Sequence, residues 1–165
     1  MIAAARVAAM AVGALFVWLV VASQMPSHVR LSLGEVVVGA VISQKFGCTS
    51  LELEPVDPFC PGGHIHTGVD LAAPTGTEVR SATFGVARLG FDPNGAGMFV
   101  VVTADAHVRL FYCHLSAFRT QSGATVAPGQ LIGLVGATGR ATGSHVHFEV
   151  QVDRTSVDPV AWLAS

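Results

Sequence analysis

The sequence predicts a mainly β domain, a β-rich α+β fold of antiparallel strands, behind an apolar amino-terminal segment. Two features predict the domain. From Val41 onward, short runs rich in β-branched residues alternate with Gly, Pro, Asn and Asp, the rhythm of strands joined by tight turns. After Ala22 no stretch keeps a helical period over about eleven residues. The length of 165 residues is enough for one domain with a sizeable core. A formal net charge of −2 with 12% charged residues excludes a basic nucleic-acid face and an acidic tail.

The elements follow in chain order. Residues 1–23 read as a hydrophobic helix, either a signal peptide or a membrane anchor. Arg6 is followed by an unbroken apolar run from Val7 to Ala22, between the roughly 7–15 residues of a signal core and the roughly 20 of a spanning helix. Val20-Val21-Ala22 offers a small-residue cleavage site, whereas Trp18 and the run's length suit a retained anchor. Both readings place the remaining chain outside the cytoplasm.

Residues 24–40 read as a linker, and residues 41–165 as the folded domain. Its strands fall in "GTEVRSA", "GVARLGF", "MFVVVTA", "HVRLFYCHL", "QLIGLVG" and "HVHFEVQV", with "DPNGAG" at 92–97 as a turn and "DPVAWLA" at 158–164 as a short terminal helix. In an oxidising compartment Cys48 and Cys60 would close the segment between them. Strand alternation sets Cys113 opposite in facing to Tyr112 and His114, so Cys113 is expected to be a buried, inert thiol. No close Cys-x-x-Cys pair points to a cysteine-built metal site.

The histidines carry the chemistry. In an extended "HTGVDLA", His66 and Asp70 share a face, and Gly68 between them leaves room beside it. His145, His147 and Glu149 share a face in the same way. Two imidazoles and one carboxylate suit zinc and leave a fourth position open, which separates a catalytic site from a closed structural one. Parity does not choose between His64 and His66. His28, in the linker, and His107, in a polar turn, read as solvated residues.

The segments "HTGVDLAAPTGTEV" (66–79), "YCHLS" (112–116) and "VAPGQLIGLVGATGRATGSHVHFEV" (126–150) together resemble the lysostaphin-type, or LytM-type, zinc endopeptidases, which cut the peptide part of peptidoglycan. The resemblance runs from about Val41 to Leu163 with the motifs in the family's order. It implies antiparallel sheets forming a substrate groove with one zinc ion at its floor. It also implies His66, Asp70 and His147 as ligands, and His114 and His145 as catalytic histidines that do not bind the metal. The implied partners are a peptidoglycan peptide, and the membrane if the amino-terminal segment is retained, but no nucleic acid. The alternative is a non-catalytic, wall-binding or amidase-activating relative; such modules have lost ligands, and all five residues stand here.

Glu149 is placed to orient a ligand imidazole. The glycines around 133–143 read as a tight loop feeding the His-x-His strand and bordering the groove; the phosphate-loop spacing and its lysine are absent. Three features depart from the family pattern: Met98 stands where a polar residue is usual, Cys113 replaces a small residue, and the Cys48–Cys60 loop lies where the groove edge varies. They bear on substrate choice and leave the ligand set intact.

Overall fold

The computed structural model describes residues 29–165. The expected signal or anchor helix, His28 and the first part of the linker lie outside the described residues. Among the described residues no helix is long and apolar enough to cross a membrane.

Thirteen strands and two short helices make up the described chain. The main sheet has eight strands, all pairs antiparallel. Its path runs β1 (Val41–Gln44), β4 (Val69–Ala72), β12 (His145–Val152), β8 (Val108–Leu115), β7 (Gly97–Thr103), β6 (Gly85–Asp92) and β10 (Thr125–Val126), with β13 (Thr155–Val157) also paired to β12. A three-stranded sheet joins β5 (Glu78–Arg80), β11 (Leu131–Leu134) and β9 (Ala117–Phe118), and a two-stranded ribbon joins β2 (Gly47–Thr49) to β3 (His64–His66). The expected β-rich class holds, with each predicted strand present and the "DPNGAG" segment turning β6 into β7.

One face of the main sheet builds the core and the other builds the site. On β12 the odd-numbered His145, His147 and Glu149 face a groove, while Val146, Phe148 and Val150 are fully buried. Alternation of this kind follows from the two-residue period of a strand. Tyr112 and Phe148 pack with ring centroids 5.1 Å apart. The Tyr112 hydroxyl accepts a hydrogen bond from the Ala82 N–H at 2.8 Å, tying the main sheet to the segment after β5. Burial pushes the Tyr112 phenol well above its usual range, so it stays neutral in the core.

Two expectations are corrected here. Part of the stretch read as a linker is packed against the domain. A four-residue helix, α1 (Leu33–Val36), interrupts it, and Val36 and Val37 are buried in the core. This helix is too short to leave a periodic trace in sequence. Arg30 completes the attachment: its guanidinium lies 3.8 Å from the Trp162 ring centroid and donates to the Trp162 carbonyl at 2.7 Å. Trp162 belongs to α2 (Pro159–Leu163), the expected terminal turn, whose first N–H groups are capped by Asp158 accepting from the Val160 N–H at 2.9 Å.

Facing at the end of β8 also departs from simple strand alternation. Cys113 is buried, as expected, but it lines the groove on the same side as His114. The alternation fails because His114 has φ +64°, a left-handed backbone that turns its side chain back toward the face Cys113 occupies.

Cys48 and Cys60 are joined by a disulfide, closing the segment between them into a ring beside the groove. That leaves Cys113 as the one free thiol of three cysteines. Burial first, then the charges of Glu149 and Asp70, push it up to about 12. Two measurements follow. Native protein at pH 8 should titrate no thiol with an aromatic disulfide reagent, and one thiol per chain should appear on denaturation. Tyr112→Phe, which leaves the Ala82 N–H buried without an acceptor, should cost about 1–3 kcal/mol in urea unfolding.

Candidate metal centre

Strand pairing brings the predicted residues together. In the register of β4 with β12, Asp70 lies opposite His147, and on the other flank of β12 His147 lies opposite Cys113 of β8. His66 ends β3 opposite Gly47 and is 1% exposed. The chain then breaks at Thr67-Gly68 before β4, so His66 and Asp70 meet across a bend rather than along one continuous strand. Gly68 makes the close approach possible. A Cβ there would stand 2.5 Å from the Phe148 carbonyl oxygen and 2.9 Å from the His147 ring.

Three donor atoms converge. His66 Nε2 and His147 Nδ1 are 2.9 Å apart, and each lies 3.1 Å from Asp70 Oδ1. Together these residues form a group able to hold a metal ion. The donor set, two imidazole nitrogens and one carboxylate oxygen, fits zinc. His145 Nε2 stands 3.7 Å from the other Asp70 oxygen, outside the triangle.

The ring orientations are set from behind. His66 Nδ1 donates to the Lys45 carbonyl at 2.9 Å, which presents Nε2 to the centre. His147 uses the opposite nitrogen, because its Nε2 lies 3.6 Å from Glu149 Oε2. Glu149 is itself held by three donors: the hydroxyls of Thr67 at 3.1 Å and Ser156 at 2.7 Å, and the Gln151 amide at 2.7 Å.

The charges follow. Burial opposes ionisation of Asp70 and Glu149, but the imidazole contacts, with the other donors to Glu149, outweigh it. Asp70 is held well below the carboxylate range and Glu149 near about 2. Burial would lower His147, yet the two carboxylates raise it to about 9 in the metal-free protein.

A second pair of imidazoles stands beside the first group. The rings of His114 and His145 are 4.7 Å apart, and His114 lies 6.3 Å from the His147 ring. His114 Nδ1 donates to the Thr138 carbonyl at 2.9 Å, and His145 Nδ1 donates to the Gly143 carbonyl at 2.9 Å. Neither Nε2 makes a hydrogen bond, that of His145 standing 3.7 Å from Asp70 Oδ2. Burial lowers the His114 pKa, with His145 and His147 adding to it and the Thr138 bond opposing it.

Of the five residues singled out by sequence, Asp70, His114, His145 and His147 line one groove and His66 lies buried against them, while His64 does not join the donor triangle. His64 Nδ1 donates to the Glu54 carbonyl at 2.8 Å and fastens the disulfide ring to β3. Sequence missed the supporting groups: the carbonyls of Lys45, Thr138 and Gly143, and the hydroxyls of Thr67 and Ser156. Main-chain carbonyls carry no residue-type signal, so nothing in the sequence could have pointed to those three. Met98 packs against the core and is not among the groove-lining residues, so its departure from the family pattern does not reach the floor.

An exposed groove with two imidazoles and a carboxylate at its floor, and two further imidazoles beside them, is the arrangement of a metallopeptidase. The sequence agrees: residues 64–159 match peptidase family M23, and the chain belongs to that family. It is 40% identical over 104 residues to the DD-carboxypeptidase/endopeptidase Mpg of Neisseria meningitidis, covering 63% of this chain and 24% of that protein. It is 39% identical over 93 residues to the peptidoglycan DD-endopeptidase ShyB of Vibrio cholerae, covering 56% and 22%. Among solved structures, the catalytic domain of lysostaphin from Staphylococcus simulans superposes with a TM-score of 0.63 at 30% identity, covering 76% of this chain and 93% of that one. The chain spans about a quarter of the length of the curated relatives it matches.

Removing the Glu149 carboxylate should loosen the orientation of His147. Glu149→Ala should weaken zinc affinity about 10- to 100-fold, read by competition with a chromogenic chelator, with unchanged far-ultraviolet circular dichroism.

Proposed function

We propose that this chain is a zinc-dependent endopeptidase that hydrolyses peptide bonds of bacterial peptidoglycan, in a cross-link or a stem peptide. The observation that carries it is the convergence of His66, Asp70 and His147 on one point, with His114 and His145 beside them and outside the donor triangle. His66, Asp70 and His147 would hold one zinc ion, which when bound supplies Lewis acidity toward water and the scissile carbonyl.

The chain's own groups supply the rest. His114 and His145 each spend the Nδ1 proton on a carbonyl, so in the neutral ring Nε2 is an acceptor facing the groove. A neutral imidazole in that state takes a proton from the attacking water, and the imidazolium it becomes donates to the carbonyl oxygen or the leaving amine. The lowered pKa of His114 favours its neutral form before attack. Asp70, held ionised, balances part of the ion's charge. The groove is open along the sheet face, which suits an extended peptide.

The substrate assigns the compartment. Peptidoglycan lies outside the cytoplasm, and the Cys48–Cys60 bond belongs to an oxidising environment. Residues 1–23 would direct export, as a signal peptide or as an anchor, and residues 41–165 would hold the enzyme. The non-catalytic reading is not favoured, since His66, Asp70, His114, His145 and His147 are all present.

The test is digestion of purified peptidoglycan with and without a chelator, with fragments and new amino termini identified by mass spectrometry. Cleavage should stop on chelation and return with zinc. His147→Ala should abolish it. His114→Ala and His145→Ala should each lower the rate about 10²- to 10⁴-fold while zinc still binds. Stoichiometric zinc without cleavage of several wall types would overturn the peptidase reading.

A further inference from the structure

The groove has an unequal distribution of charge. Glu54, Asp70 and Glu149 line it, and Arg140 is the one arginine or lysine among the lining residues. Each acid is already engaged: Asp70 and Glu149 face imidazoles, and Glu54 accepts the Gln44 amide at 3.0 Å. Arg140 has no acidic partner among the described residues. Its guanidinium makes one contact, donating from Nη2 to the carbonyl of Leu53 on the disulfide ring. A guanidinium carries five N–H donors in a planar fork, so most of its capacity is uncommitted, on an exposed residue that lines the groove.

The backbone fixes where this fork stands. The Arg140 N–H donates to the Gly95 carbonyl at 2.8 Å. Gly139 beside it has φ +72°, and a Cβ there would meet Gly95 and Gly97 backbone atoms at 2.3–2.5 Å. The loop is seated backbone to backbone against the β6–β7 turn, leaving the Arg140 side chain to reach across the groove rim. A neutral carbonyl leaves the guanidinium charge uncompensated, whereas a carboxylate matches it in charge and in two-toothed geometry.

We propose that Arg140 is a specificity-determining residue that binds a free carboxylate on the substrate peptide. It favours peptides that carry a free carboxylate over otherwise identical neutral ones. This rests on the peptidase reading above. It goes beyond it by naming the chemical feature that the groove selects.

The test uses two synthetic peptides that differ only in one carboxylate near the scissile bond, free in one and amidated in the other. With the zinc-loaded full chain, kcat/KM should favour the free acid about tenfold. Arg140→Gln should bring that ratio to about one. Arg140→Lys, which keeps the charge but not the fork, should give an intermediate ratio. A wild-type ratio near one, or a preference that survives Arg140→Gln, overturns the proposal and leaves Arg140 as a tie between two loops.

Calorimetric titration of both peptides into the His145→Ala chain, with and without Arg140→Gln, reads the same ratio as binding. Cleavage of neither peptide or of peptidoglycan would sink the endopeptidase reading, while the binding ratio still decides the role of Arg140. Equal affinities for the two peptides would overturn it.

Discussion

The antiparallel pairing of β4 with β12 is the constraint on which the site depends. It sets Asp70 opposite His147, and strand periodicity then dictates which residues face the groove and which the core. A slip of one residue would carry His147 to the apolar side and bring Phe148 or Val146 to the floor. Such a slip is opposed by the core itself, since Val146, Phe148 and Val150 are fully buried in it. The same hydrophobic face that stabilises the sheet thereby fixes the position of the metal donors. Fold and chemistry share one register.

Pairing alone does not complete the arrangement, and local backbone exceptions supply the rest. Gly68 lets the chain between β3 and β4 pass against His147 without a side chain in the way. His114 adopts a left-handed conformation, which costs a non-glycine residue of order 1–3 kcal/mol. Its environment holds it there: the His114 N–H donates to the Ala96 carbonyl at 2.8 Å and its ring is bonded to Thr138. The Thr138 hydroxyl in turn donates to the Leu115 carbonyl and accepts the Met98 N–H. Thr138 therefore knits the glycine loop, β7 and the end of β8 around one imidazole.

Much of this was legible in the sequence, and the boundary of legibility is physical. The alternation in "HVHFEV" separates floor from core, and turn residues mark the strand ends, because both follow from local geometry. The assignment of His66 over His64 needed family resemblance, because parity is the same for both and their difference lies in partners: the Lys45 carbonyl for one, the Glu54 carbonyl for the other. Cys113 defeated parity because φ at His114 is set by tertiary contacts rather than by residue type. Residues 31–37 gave no helical signal because a single turn is shorter than a period can reveal, and their burial comes from packing onto a distant part of the chain. The supporting carbonyls were invisible for the simplest reason: every residue has one.

The disulfide ring gives the groove two walls of different character. On one side the floor strands are locked by sheet register and a filled core. On the other, the ring between Cys48 and Cys60 is held by a covalent closure and by hydrogen bonds to its Leu53, Glu54, Pro55 and Asp57, while its Val56 and Phe59 stand 78% and 92% exposed. Side chains exposed on that wall can be exchanged without disturbing the packing beneath it. The exposed side chains of the rim and the register of the floor are therefore separable in this fold, and one can drift while the other stands still.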